Sequence, residues 1–241
     1  MNQASKSVLV FSAHAADFVW RAGGAIALYA SRGWRVRILC LSFGERGESQ
    51  GAWKQPGMML DRVKKIRRTE SKQAATLLGA EVEFFDAGDY PLRLSDELLD
   101  RLVAEYRSCQ PDIVLTHSAS DPYNPDHPTA HQISLQARVY AQAEGYPAAG
   151  SPLGAPPVFM FEPHQPERCG FMPDVLLDIT SVWDQKRKAM ESMEAQGHLV
   201  DYYADLGRRR GTQAVRNSGR KTIKYAEAFQ RVFPQVTGDL T

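Results

Sequence analysis

Apolar positions in this chain follow two rhythms that replace one another from end to end. Continuous runs rich in Val, Ile, Leu and Phe occur at residues 7–11, 36–42, 81–85, 113–116, 158–161 and 175–179. Their length and bounding polar residues predict strands buried on both faces, as in a parallel sheet. Between them the apolar residues space out at helical intervals. One such segment covers residues 22–32 and is closed by Gly33 as a C-terminal cap, and a second covers 60–78 and stops at Gly79. A third covers 95–109, opened by Ser95 with acids in its first turn, and a fourth runs from about Thr129 to Ala143. Beyond Thr180 the pattern predicts a mostly helical stretch to about Phe233. Strands alternating with helices predict an α/β fold with a Rossmann-like, mostly parallel sheet flanked by helices. Residues 145–157 are rich in Pro, Gly and Ala and read as a surface connection, so one domain is expected over residues 1–241.

Composition narrows the class. Apolar residues at 43% are enough for a core of normal size, so no disulfide or metal staple is needed for folding. Cys40, Cys109 and Cys169 are widely spaced with no CxxC, which argues against a disulfide framework and a thiolate metal site. Lys and Arg number 29 against 28 Asp and Glu, so no nucleic-acid partner is expected. The clusters Arg208-Arg209-Arg210 and Lys64-Lys65 with Arg67-Arg68 read as solvated helix faces. No run approaches the roughly 18 apolar residues of a membrane span, and the first residues lack the flanks of a signal peptide. A cytoplasmic protein without membrane contact is expected.

In such a sheet, ligands bind beyond the carboxyl ends of the strands. Reactive residues collect at those ends: Ser12-Ala13-His14-Ala15-Ala16-Asp17 after the first run, Gly44-Glu45-Arg46-Gly47-Glu48 after the second. Asp121-Pro122-Tyr123-Asn124-Pro125-Asp126-His127 follows the fourth and Glu162-Pro163-His164 the fifth. His14 and Asp17 share one strand-to-helix turn, and His127 completes a facial set of three. Two imidazoles and one carboxylate leave a coordination position open, which suits a catalytic zinc; Mn²⁺ and Fe²⁺ accept the same ligands. His131, four residues past His127, is an alternative ligand. His117 reads as a hydrogen-bonding residue at a strand end, and His198 has no assigned role.

Ala13–Asp17, Gly44–Gly47, Asn124–His127 and Tyr225-Ala226-Glu227-Ala228-Phe229 resemble, in order, the motifs of the PIG-L/LmbE superfamily of zinc-dependent deacetylases. That family reads A-H-P-D-D-E, then G-E-x-G, then H-P-D-H. The resemblance places its zinc ligands at His14, Asp17 and His127. Two positions depart from it. The family's general base is Ala16 here, and the histidine that stabilises its oxyanion is Asn124. Loss of a general base removes about 10²–10⁴ in rate, and loss of an oxyanion donor removes about as much again. Deacetylation is disfavoured while the metal triad stands. The runs at residues 12–27, 41–49, 121–128, 155–166 and 177–184 look like the 4-oxalomesaconate hydratase branch of the superfamily. That branch adds water to 4-oxalomesaconate or its enol form 4-carboxy-2-hydroxymuconate, giving 4-carboxy-4-hydroxy-2-oxoadipate in gallate and protocatechuate degradation.

Hydrating a carbon–carbon double bond needs a nucleophilic oxygen, an electron sink and an acid for the carbanionic carbon. Zinc serves as either of the first two. Glu48 and His164 are the candidate proton movers in place of the missing pair, with Glu45 a rival carboxylate read as orienting its loop. Asp126 and Asn124 are expected to orient the metal ligands. Arg46, Arg21 and Tyr123 are candidates for holding a tricarboxylate substrate. The resemblance also implies a homo-oligomer, a trimer or hexamer. Two rival readings remain: an N-acetyl deacetylase using Glu48, and a non-catalytic metal-binding member.

Overall fold

The computed structural model describes residues 6–239. A seven-stranded sheet forms from β1 (Ser7–Ser12), β2 (Arg35–Cys40), β3 (Glu81–Phe84), β4 (Ile113–Thr116), β5 (Val158–Phe161), β6 (Val175–Asp178) and β7 (Ala226–Arg231). Their spatial order is β3-β2-β1-β4-β5-β7-β6. The first five pair in parallel, and β7 runs antiparallel to both β5 and β6. The helices are α1 (Asp17–Ser31), the short α2 (Gln50–Trp53), α3 (Leu60–Leu78), α4 (Asp96–Cys109), α5 (Asp126–Gln142), α6 (Trp183–Glu191) and α7 (Val200–Ser218).

The strand period of two explains why both sheet faces are covered. On β1, Val8 and Val10 enter one apolar layer with Ala22 and Ile26 of α1, Leu78 of α3, Met190 of α6 and Tyr203 of α7. Leu9 and Phe11 enter the other, with Leu102 and Tyr106 of α4 and Ile133 of α5. Local signals start and stop these helices. The Ser95 hydroxyl accepts the Leu98 N–H at 3.1 Å to open α4, and Gly79 closes α3 in the left-handed region.

Three features differ from the sequence expectation. Helix α1 begins at Asp17, five residues before the helical rhythm becomes visible. Residues 17–21 are buried on every side, so no polar face marks the helix there. Helix α5 begins at Asp126, so His127 sits in a helical first turn and not in a loop. The C-terminal stretch is not helical to Phe233. Gly219 ends α7, and β7 fills the place between β5 and β6. Glu227, a charged residue second in that strand, disguises it.

Glu227 is buried, and its two oxygens accept the N–H groups of Gly24 and Ala25, each at 2.7 Å. Lys186 of α6, equally buried, reaches Glu227 Oε1 at 2.6 Å and the carbonyl of Trp20 at 3.0 Å. The ion pair therefore ties α6 and β7 to the backbone of α1. A Cβ on Gly24 would lie 2.6 Å from Ile179 and 2.9 Å from the Glu227 carboxylate, so only glycine admits the approach. Among the described residues no helix is long and apolar enough to cross a membrane.

Candidate metal centre

Every expected metal ligand lies at the carboxyl end of a strand. His14 follows β1 and Asp17 opens α1; the His14 N–H donates to Asp17 Oδ2 at 2.9 Å, which closes the turn between them. His127 comes from the first turn of α5, after β4. Its Nε2 stands 3.4 Å from Asp17 Oδ1, and His14 Nδ1 stands 3.1 Å from Asp17 Oδ2. Glu48 joins them, with Oε1 3.2 Å from His14 Nδ1 and 3.7 Å from His127 Nε2. One donor atom from each of His14, Asp17, Glu48 and His127 falls within 4.8 Å of the others. His127 Nε2 is buried and has no hydrogen-bond partner. A buried, unsatisfied imidazole nitrogen facing carboxylates is the arrangement a divalent cation completes, and two N and two O donors fit zinc.

The glycine-rich loop after β2 delivers Glu48. Gly44 adopts φ 63°, and a Cβ there would lie 3.1 Å from that of His14 and 3.2 Å from that of Glu48. A Cβ on Gly47 would strike the Tyr90 ring at 2.4 Å. Glycine at both positions lets the loop pass between the Tyr90 ring and the side chains of His14 and Glu48. The Glu45 carboxylate, buried, accepts the Phe43 N–H at 3.2 Å and so braces the same loop.

Further carboxylates hold each ring from behind. His127 Nδ1 donates to Asp121 at 2.8 Å, which leaves Nε2 for the cluster. His14 Nε2 faces Asp126 at 3.3 Å and Asp89 at 3.2 Å, which leaves Nδ1 for the cluster. Asp126 in turn accepts the N–H groups of Tyr90 and Leu92, and Asp89 accepts that of Gly47 at 2.9 Å. Asn124 donates to Glu48 Oε1 at 3.2 Å and accepts the Asp126 N–H at 3.1 Å. Asp126 and Asn124 thus stand behind His14 and Glu48.

These charges set the ionisation of the cluster. Burial alone would lower both imidazoles, but Glu48 and the aspartates hold His14 well above the usual value. Asp17 chiefly outweighs burial at His127 and raises it to about 9. Burial would raise Asp17, and His127 and His117 bring it well below the carboxylate range. Burial and Asp17 would raise Glu48, but the imidazoles lower it to about 2. The cluster is built to carry opposite charges at close range.

A cavity of about 310 Å³ opens beside it. Asp17, Glu48 and His127 form part of its wall, and so do Tyr123 and Asn124. Arg21, His164 and Gln196 line the same space. His164 stacks on Tyr202 with ring centroids 4.2 Å apart, and burial followed by the charge of Arg21 lowers its pKa below 6.5. Arg46 is the exception among the expected residues. It is exposed and does not line the cavity, because the turn spends its backbone N–H on Asp89 and leaves the side chain in solvent. His131 is not part of the cluster; its Nδ1 donates to the carbonyl of His117 at 2.9 Å. His198 is exposed. Asp89 carries no mark in the sequence, and Asp121 stands there in the reactive stretch after the fourth run without a role. Asp121 shares its loop with His127, and Asp89 follows β3, whose end carries no histidine to mark it.

Comparison with known proteins places this geometry. Residues 9–138 match the PIG-L family, described as GlcNAc-PI de-N-acetylase. The chain is similar to a protein of Pseudomonas putida named 4-oxalmesaconate hydratase, with 54% identity over 100% of this chain and 94% of that one. It is also similar to the crystal structure of GalB, the 4-carboxy-2-hydroxymuconate hydratase of the same species. There the TM-score is 0.96 and identity 54%, covering 98% of this chain and 100% of that one. An N,N'-diacetylchitobiose deacetylase from Pyrococcus horikoshii shares the fold, with TM-score 0.76 at 22% identity over 95% and 84% of the two chains.

Proposed function

This chain belongs to the PIG-L family, and from that premise we propose that it is a zinc-dependent hydro-lyase. Its reaction is addition of water to 4-oxalomesaconate, or to the enol form 4-carboxy-2-hydroxymuconate, giving 4-carboxy-4-hydroxy-2-oxoadipate. The observation that carries the reading is a whole metal cluster from which the deacetylase residues are missing. His14, Asp17 and His127 stand together, while Ala16 is buried and Asn124 takes the place of a histidine. Likeness along the full chain to a hydratase supports the same conclusion.

His14, Asp17 and His127 are the proposed zinc ligands. Bound there, zinc supplies Lewis acidity toward an oxygen of water or substrate. Glu48 is ionised at neutral pH and lies at the cluster's edge, so it is placed to take the proton that an attacking water releases. Asn124, donating to Glu48 Oε1, holds that carboxylate toward the cluster. His164 lines the same cavity and is mostly neutral at pH 7; with a lowered pKa, its cationic form is a strong acid. It is assigned delivery of a proton to the carbanionic carbon. Arg21 and Tyr123, also on the wall, are offered to the substrate's carboxylates.

The test is to incubate zinc-loaded protein with the ring-cleavage product of gallate and follow loss of its conjugated absorbance. Turnover that stops on exhaustive chelation and returns with zinc is expected. Release of acetate from an N-acetylated sugar, with no hydration, would overturn the reading. Glu48→Gln and His164→Ala should each lower turnover by about 10²–10⁴ while zinc content holds. Near-normal turnover in both removes the two assignments.

A further inference from the structure

Among the described residues four arginines are buried: Arg21, Arg67, Arg107 and Arg138. The other three each have hydrogen-bond acceptors, unlike Arg21. Arg107 donates to the carbonyls of Ala141, Ala143, Tyr146 and Ala148, and Arg138 to that of Pro156. Arg67 donates to Glu70 at 2.7 Å and to Gln196 Oε1 at 2.6 Å. Arg21 makes no hydrogen bond among the described residues. Its Nε is buried without an acceptor, and the nearest carboxylate oxygen, on Asp17, is 3.4 Å away. A buried guanidinium presents five N–H groups in a planar fork, and leaving them unmet is costly. Arg21 lines the cavity beside the metal cluster, so its acceptor is to be sought there.

Gln196 lines the same cavity, and its neighbours decide which end of the amide faces inward. Arg67 can only donate, and so can the Trp20 indole, whose Nε1 lies 3.5 Å from the same Oε1. Both therefore require an oxygen at that position, which leaves the amide NH₂ as the end free for the cavity. The lock is rigid: Arg67 is fully buried and paired with Glu70, and Glu70 Oε1 also accepts the Ala195 N–H at 2.8 Å. A guanidinium and an oriented amide donor thus share a pocket that also holds the Trp20 and Tyr203 rings, stacked 5.5 Å apart.

We propose that Arg21 and the Gln196 amide form a carboxylate-binding subsite, separate from the metal ligands, that selects substrates carrying a carboxylate remote from the reacting carbon. This rests on the hydratase reading for the identity of the substrate. A planar monoanion matches the fork of Arg21, and the amide adds one more donor at its edge. The nearby Asp17, Glu48 and Asp121 already offset much of the Arg21 charge, which favours one carboxylate over a dianionic phosphate.

Calorimetry on zinc-loaded protein tests it with two probes: propane-1,2,3-tricarboxylate, and acetohydroxamate as an uncharged metal-directed ligand. Gln196→Met, Gln196→Glu and Arg21→Lys should each weaken the tricarboxylate, by roughly 10-fold or more for a lost charged hydrogen bond. Acetohydroxamate affinity should hold in all three. Tricarboxylate affinity within twofold of the parent in both Gln196→Glu and Arg21→Lys overturns the subsite. Equal loss of both probes overturns it too, since the substitutions would then act through the metal cluster. The hydration assay on the parent protein is scored separately. Discrimination of the tricarboxylate by a parent that fails to hydrate leaves the subsite standing and removes the hydratase reading.

Discussion

Replacing Lys186 or Glu227 tests the structural logic of α1 most directly. Lys186→Met removes the ammonium 2.6 Å from Glu227 Oε1 and leaves a carboxylate inside the protein without its cation. Removing one partner of a buried pair costs about 3–5 kcal/mol. Glu227 keeps the N–H groups of Gly24 and Ala25, both at 2.7 Å, so the lower end, about 3 kcal/mol, is expected. Glu227→Leu strands the ammonium and unpairs both backbone donors, so the upper end, about 5 kcal/mol, is expected. In a chain of this size each kcal/mol moves Tm by about 2–4 °C, which gives a drop of about 6–12 °C for the first variant and about 10–20 °C for the second. Urea unfolding followed by circular dichroism measures both free energies. The double variant Lys186→Met/Glu227→Leu should lose less than the sum by at least about 1 kcal/mol, because neither charge is left alone. Single losses below about 1 kcal/mol, or strict additivity, would refute the claim that this pair anchors the helix.

Other outcomes follow from the cavity and the cluster. His164 is assigned as the acid and acts in its protonated form, and burial followed by Arg21 lowers its pKa below 6.5, so kcat/KM should rise as pH falls from neutral toward that lowered value and decline above it. Arg21→Gln removes a positive neighbour and should move that descending limb to higher pH; a limb that stays put counts against His164 as the titrating group. Zinc loading of chelated protein near pH 7 should expel protons, since the carboxylates, with Asp17 foremost, raise His127 to about 9. Calorimetry in buffers of different ionisation enthalpy reads that count, and identical heats would contradict it. Asp121→Asn weakens the acceptor 2.8 Å from His127 Nδ1 and should lower zinc affinity about 10–100-fold, by competition with a chromophoric chelator. Asp89→Asn disturbs both His14 and the Glu48 loop, and should lower zinc affinity and turnover together.

Much of the cluster of His14, Asp17, Glu48 and His127 was legible because its members sit next to strong local signals. His14 and Asp17 follow an unbroken apolar run, and His127 ends the polar stretch that follows the fourth one. The residues behind them were harder. Asp89 reaches His14 only because β3 pairs beside β2, a relation that no spacing along the chain expresses. Gln196 lies in a 3-10 segment, and its orientation depends on Arg67, 129 residues away. Helix α1 lost its first turn in the reading because total burial removes the polar face that periodicity needs. Strand β7 was missed for the opposite reason: Glu227 reads as surface, and its neutralising partner comes from α6.

The place of β7 bears on how the chain comes together during synthesis. Residues 226–231 sit between β5 and β6, so both of those strands keep a bare flank until residues 226–231 have left the ribosome. An unfinished product halted near Gly219 would expose two rows of unsatisfied amides, the usual template for intermolecular sticking. Truncations on either side of Ala226 should therefore divide sharply in yield, with aggregated material before it and recoverable protein once Arg231 is present.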